Sequence, residues 1–119
     1  MVLTVHEKTF SQEVLDASIP VLVNFWAPWC GICRIVNPFL IRFQAELDQP
    51  VKLVGINADE NFRLATTYRL TSLPTLLLFS NGKILYRLDE LRSREDLQWV
   101  SEQLQELLQS VEVDYVRTA

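Results

Sequence analysis

The sequence predicts a single α/β domain, and three observations carry that reading. Short apolar runs alternate with stretches of helical periodicity along the chain. Val21-Leu22-Val23-Asn24-Phe25-Trp26 is a continuous apolar run of the kind found at the centre of a sheet. Asn81-Gly82 stands between two further apolar runs, the strongest short-range hairpin signal. No repeat, low-complexity stretch or linker divides the chain, and 119 residues with 49% hydrophobic and 22% charged content suit one core.

In order, Leu3 to His6 reads as a short first strand and Phe10 to Ala17 as a helix stopped by Pro20. Val21 to Trp26 is the central strand. From Ile32 onward, Ile35, Val36, Phe39, Leu40, Phe43 and Leu47 keep helical phase across Pro38. One kinked helix explains that single phase best, because a fresh start would not require it. The alternative makes Asn37 an N-cap and Pro38 the first helical residue, leaving a loop before them. Val51 to Asn57 is a strand and Asn61 to Tyr68 a short helix. Thr75 to Phe79 and Lys83 to Leu88 flank the Ser80-Asn81-Gly82 turn. A last helix begins at Ser93-Arg94-Glu95-Asp96, which has capping-box form with Asp in the carboxylate position; Leu97, Val100, Leu104, Leu107, Leu108 and Val111 make its apolar stripe. Residues 1–110 are read as the domain and 111–119 as a tail. In that tail the alternation from Val111 to Val116 suits either a small extra strand or a frayed end.

The two cysteines both fall in Trp29-Cys30-Gly31-Ile32-Cys33-Arg34, directly after the central strand. If a helix starts there, Cys30 stands at its N-terminus, where unpaired N–H groups and the macrodipole favour a thiolate. Cys33 follows on the same helical face, close enough for a disulfide. A zinc site is the first alternative, but it needs four ligands, and there is no second C-x-x-C and one histidine, His6. A static disulfide is the second, yet so small a loop constrains the unfolded chain little. A redox-active pair is the reading that remains, with no metal and no bound cofactor.

Composition bounds partners. Net charge is −4, against the clustered Lys and Arg that nonspecific nucleic-acid binding requires. The start, Met1-Val2-Leu3-Thr4-Val5-His6-Glu7-Lys8, has neither a basic segment nor a long apolar one, and no later run reaches membrane-spanning length. The expectation is a cytoplasmic, monomeric protein in a reducing compartment, with neither nucleic acid nor membrane as partner.

The element order, with Phe25-Trp26-Ala27-Pro28-Trp29-Cys30-Gly31, Pro38, Asp59, Tyr68-x-Leu70-x-Ser72-Leu73-Pro74-Thr75 and Phe79-x-Asn81-Gly82, resembles the thioredoxin family from about Phe10 to Leu108. The resemblance implies a thioredoxin fold with a five-strand mixed central sheet and four helices. It also implies a cis peptide at Leu73-Pro74 and thiol-disulfide exchange with disulfide-containing target proteins. Cys30 would attack, Cys33, shielded one turn further in, would resolve, and a thioredoxin reductase of unidentified type would recharge the pair. Targets would dock along Trp29, Gly31, Ile32, Ser72, Leu73 and Pro74 by strand addition, with Trp26 mainly packing.

Four residues depart from the family pattern. Asn24 stands where a buried aspartate is usual, Ile32 where proline separates the cysteines, Glu90 where a rim glycine is usual, and Gly55 where a lysine commonly neighbours the aspartate. Loss of Asp and Lys together leaves no uncompensated buried charge. Asn24 cannot take a proton near neutral pH. The leading expectation is therefore a redox-active but atypical family member with altered potential and target range. The alternative is a thioredoxin-fold binding or chaperone-like module with little turnover. An oxidase or isomerase role is disfavoured, since it needs an oxidising compartment.

Overall fold

The computed structural model describes the backbone of residues 1–118, with side chains described through Val111. Five strands form one mixed sheet: β1 (Leu3–Thr4), β2 (Val21–Trp26), β3 (Lys52–Asn57), β4 (Thr75–Ser80) and β5 (Lys83–Leu88), in spatial order β1-β3-β2-β4-β5. β2 pairs parallel with β3 and antiparallel with β4, placing the apolar run at the centre, as its sequence requires. Four main helical segments flank it, a π-type turn at Ser11–Leu15, a run from Ile32 to Glu46, α2 (Phe62–Thr67) and α3 (Arg94–Thr118), with a short 3₁₀ turn at Ala58–Glu60 leading into α2.

Strand alternation divides the core in two. Val21, Val23 and Phe25 of β2 join Phe10, Val54, Ile56, Leu77 and Phe79 on one face, while Leu22 joins Leu40, Phe43, Leu53, Leu76 and Leu104 on the other. Each fully buried side chain of this size contributes about 1.5–3 kcal/mol. Asn24 shares the parity of Leu22, so the pleat puts it on the face covered by the helix that carries Cys33.

That helix differs from both sequence readings. It opens as a 3₁₀ turn, Ile32–Ile35, and passes directly into α1 (Val36–Glu46), so the change of geometry lies before Pro38. Pro38 falls in the first turn of α1, where its missing N–H is tolerated. The first strand is shorter than expected, with one further bond from Val5 N–H to Gly55 O at 3.0 Å. The helix expected over Phe10 to Ala17 is a single turn closed by Asp16 N–H on Ser11 O. At the hairpin, Asn81 (φ 52°) and Gly82 (φ 77°) are both left-handed, the requirement of a two-residue type I′ turn. The Asp96 carboxylate accepts from the backbone N–H groups of Arg92 and Ser93, the carboxylate half of a capping box. α3 is helical to Thr118, so the alternation after Val111 does not form a strand; side chains from 112 onward, and Ala119 altogether, lie outside the described residues.

Candidate active site

β2 ends at Trp26, and the chain turns through Ala27-Pro28-Trp29 to bring Cys30 N–H onto Ala27 O at 3.1 Å. Gly31, in right-handed helical conformation (φ −63°, ψ −45°), caps the 3₁₀ turn. A side chain at Gly31 would meet nothing within 4 Å. Neither backbone conformation nor crowding requires glycine there.

Cys30 and Cys33 form a disulfide with Cα atoms 5.4 Å apart. The backbone N–H of Cys33 donates to Cys30 Sγ at 3.3 Å. This is the helix-terminal donor that the sequence leads one to expect at Cys30, and in the reduced protein it would favour the Cys30 thiolate. The sequence reading put Cys33 further in than Cys30. In the disulfide the two are buried almost equally, at 5% and 6% exposure.

A recess of about 230 Å³ brings together Asn24, Trp26, Ala27, Pro28, Cys30, Cys33, Arg34 and Asn37. A larger one, about 470 Å³, lies between α1 and α3 around Phe39, Arg42 and Arg94 and contains neither cysteine. Asn24 is 1% exposed. Its Nδ2 donates to Asn37 Oδ1 at 3.2 Å, and its Oδ1 is buried without a partner among the described residues. Gly55 is its cross-strand partner. The Trp26 indole covers that glycine, with Nε1 3.6 Å from where a Cβ would stand.

Trp29 is 69% exposed, with its Nε1 donating to Asp59 Oδ2 at 2.9 Å. The ring is therefore held by its polar edge and presented to solvent. Ser72, Leu73, Pro74 and Glu90 do not line the recess. The Leu73-Pro74 peptide is cis, as the resemblance implied. Ser72 Oγ donates to Asp89 O, and Ser72 O accepts from Thr75 Oγ1 at 2.8 Å. Glu90 is exposed and pairs with Arg92 at 3.2 Å.

Sequence reasoning missed two residues. Asn37 stands four positions after Cys33, hence on the same helix face, a signal that its possible role as an N-cap obscured. Asp59 was counted as part of a motif, but its contact with Trp29 spans thirty positions and has no local signature.

The family model described as Thioredoxin matches residues 1–103. Thioredoxin 1 of a Nostoc species is 47% identical over 79 residues, covering 66% of this chain and 74% of that protein. Thioredoxin 1 of Synechococcus elongatus is 49% identical over the same shares. The chloroplastic M-type thioredoxin of Chlamydomonas reinhardtii is 44% identical over 79 residues, 56% of its length. A five-strand mixed sheet, a disulfide closed at the start of a helix and matches of this extent have one common explanation: the chain belongs to the thioredoxin family and is a thiol-disulfide oxidoreductase.

Proposed function

We propose that this oxidoreductase reduces target-protein disulfides with an altered potential and target range, Cys30 attacking and Cys33 resolving. The Cys33 N–H on Cys30 Sγ carries the reading, because it marks the sulfur whose anion the helix terminus favours. The Cys30 thiolate attacks one target sulfur, forming a mixed disulfide and expelling the other as thiolate. Cys33, once deprotonated, attacks Cys30 Sγ; the second target thiolate leaves and the Cys30–Cys33 bond closes. Two electrons from a reductase and two protons from solvent return the pair to dithiol.

Exposed Trp29, open Gly31, Ile32 and the Ser72-Leu73-Pro74 segment are suited to hold an extended target strand, with Glu90 altering the rim charge. Trp26 supports the site by covering Gly55. We read the protein as a cytoplasmic monomer, with residues 111–119 as an addition to the domain. No helix among the described residues is long and apolar enough to cross a membrane.

A binding or chaperone-like module is the second reading. The observation that favours it is the recess lining, which contains no carboxylate to deprotonate Cys33. Equilibration against glutathione buffers, followed by presentation of a model protein disulfide, separates the two. Catalytic turnover is expected. Reversible oxidation without turnover would overturn the reductase reading in favour of the binding one.

A further inference from the structure

Asn24 is almost fully buried, yet half of its amide is unpaired. Nδ2 is taken by Asn37 Oδ1, while Oδ1 has no partner among the described residues. A buried acceptor left unmade costs about 1–3 kcal/mol. The residue lines the recess that Cys33 also lines, and in the disulfide Cys33 has no proton to give. Reduction changes this, because a thiol can donate. Asn37 is exposed at the mouth of the recess, and its amide is both donor and acceptor. The pair therefore has two equivalent arrangements. With Asn24 Nδ2 on Asn37 Oδ1, Asn24 offers the recess an acceptor; with both amides turned, Asn37 Nδ2 donates to Asn24 Oδ1 and Asn24 offers a donor.

We propose that Asn37 is a positioning residue for disulfide exchange: it lets the Asn24 amide accept from the Cys33 thiol in the reduced protein and donate to the Cys33 thiolate in the resolving step. The inference rests on the resolving role given to Cys33 above. In that step the Cys33 proton passes to water or buffer, the thiolate attacks Cys30 Sγ, and the bond from Cys30 to the target breaks with its electron pair leaving on the target sulfur. An amide does not act as the base. It lowers the cost of the anion by a charge-assisted hydrogen bond, which a carboxylate at the same place cannot supply. The charged groups around the site are few. Arg34 stands on the recess wall, Asp59 is bound to the Trp29 indole, and Glu90, outside the recess lining, is paired with Arg92. Arg34 also favours the thiolate, so its contribution must be held constant in the test.

The test is the thiolate absorbance of Cys33 against pH in Cys30→Ser, alone and combined with Asn37→Leu, Asn37→Asp or Asn37→Gln. Leu offers neither donor nor acceptor, and Asp offers an acceptor only, which fixes Asn24 with Oδ1 toward the recess. Both should raise the Cys33 midpoint by about one unit, the weight of one hydrogen bond to a charged group. Gln should recover most of the difference. The Asp effect should persist in 1 M salt, where the field of an exposed charge is screened within about 3 Å. With Cys30 restored, Asn37→Leu should slow release of reduced target from the mixed disulfide about tenfold. A Cys33 midpoint in Asn37→Leu equal to that of its parent overturns the proposal, as does an Asp effect abolished by salt. The titration needs no turnover, so a protein that never reduces targets would refute the proposed function while leaving this measurement readable.

Discussion

Replacing Asn24 by aspartate restores the group usual in the family and should make the fold sensitive to pH in a way the native chain is not. Asn24 is 1% exposed, its cross-strand neighbour is Gly55, and its hydrogen-bond partner is the neutral amide of Asn37, which can turn to donate. A carboxylate there loses most of its hydration and gains one hydrogen bond, with Arg34 on the recess wall as the cation that partly offsets its charge. Full burial raises a carboxyl by up to 3–5 pKa units, and allowing for the Asn37 bond and Arg34 leaves about 3. At about 1.4 kcal/mol per unit, the cost is about 4 kcal/mol once the group is ionised. The sign follows from linkage. The unfolded aspartate titrates near 3.9 and the folded one near 7, so stability is intact below about pH 4, declines as pH rises between the two values, and is at its lowest above about pH 7. Against the total of 5–15 kcal/mol usual for a domain, that loss is large. Urea unfolding of the oxidised protein from pH 4 to 8 measures it, with Asn24→Leu as the variant that cannot ionise. A difference between Asn24→Asp and wild type that stays constant across this range would refute the reasoning, since a steric cost has no titration. The same variant gains a base beside Cys33, and release of reduced target near neutral pH should accelerate roughly tenfold or more.

Further outcomes are expected elsewhere. Ile32→Pro should lower the reduction potential by roughly 30 mV, the equivalent of one pKa unit of thiolate stability, as read from dithiol fractions in defined redox buffers; an unchanged potential would remove Ile32 as a cause. Trp29→Ala should leave urea stability within about 0.5 kcal/mol, because the ring is 69% exposed, while raising KM for a protein disulfide; the reverse pattern would make Trp29 a packing residue. Gly82→Ala should cost about 1–2 kcal/mol, since Gly82 holds φ +77° and an added Cβ would meet Leu15 O at 3.4 Å; equal stability would show that the turn rearranges freely. Burial raises the Tyr68 and Tyr86 hydroxyls above their ordinary value of 10.0. Their contribution is complete below pH 10 and lost as pH rises through the folded values, so tyrosinate absorbance should rise later in the folded protein than in urea.

What the sequence made legible follows the range over which each signal acts. β2, β5, the Asn81-Gly82 turn and the apolar stripe of α3 are written in short apolar runs, a period of 3.6 and φ preferences, all local, and the structure reproduces them. The disulfide was equally readable, since both sulfurs belong to four consecutive residues. The 3₁₀ opening of the Cys33 helix was not, because apolar phase hardly distinguishes three from 3.6 residues per turn over four positions. The equal burial of Cys30 and Cys33 was hidden for another reason: it depends on how distant parts of the chain pack around the closed disulfide. The orphan Oδ1 of Asn24 needed the structure as well, since a sequence shows that an amide is present but not which of its ends is satisfied.

One side chain far from the cysteines fastens the segment proposed to meet targets. Arg87 on β5 donates from Nη1 to Tyr68 O, from Nη2 to Arg69 O and from Nε to the Asp89 carboxylate, while the backbone carbonyl of Asp89 receives the Ser72 hydroxyl. The approach to the cis peptide is thus stapled from the outermost strand of the sheet by a guanidinium whose fork a lysine cannot reproduce. If targets dock as proposed, their preference is in consequence adjustable from the periphery: a change at position 87 would reshape the rim of that face without altering any atom that exchanges electrons.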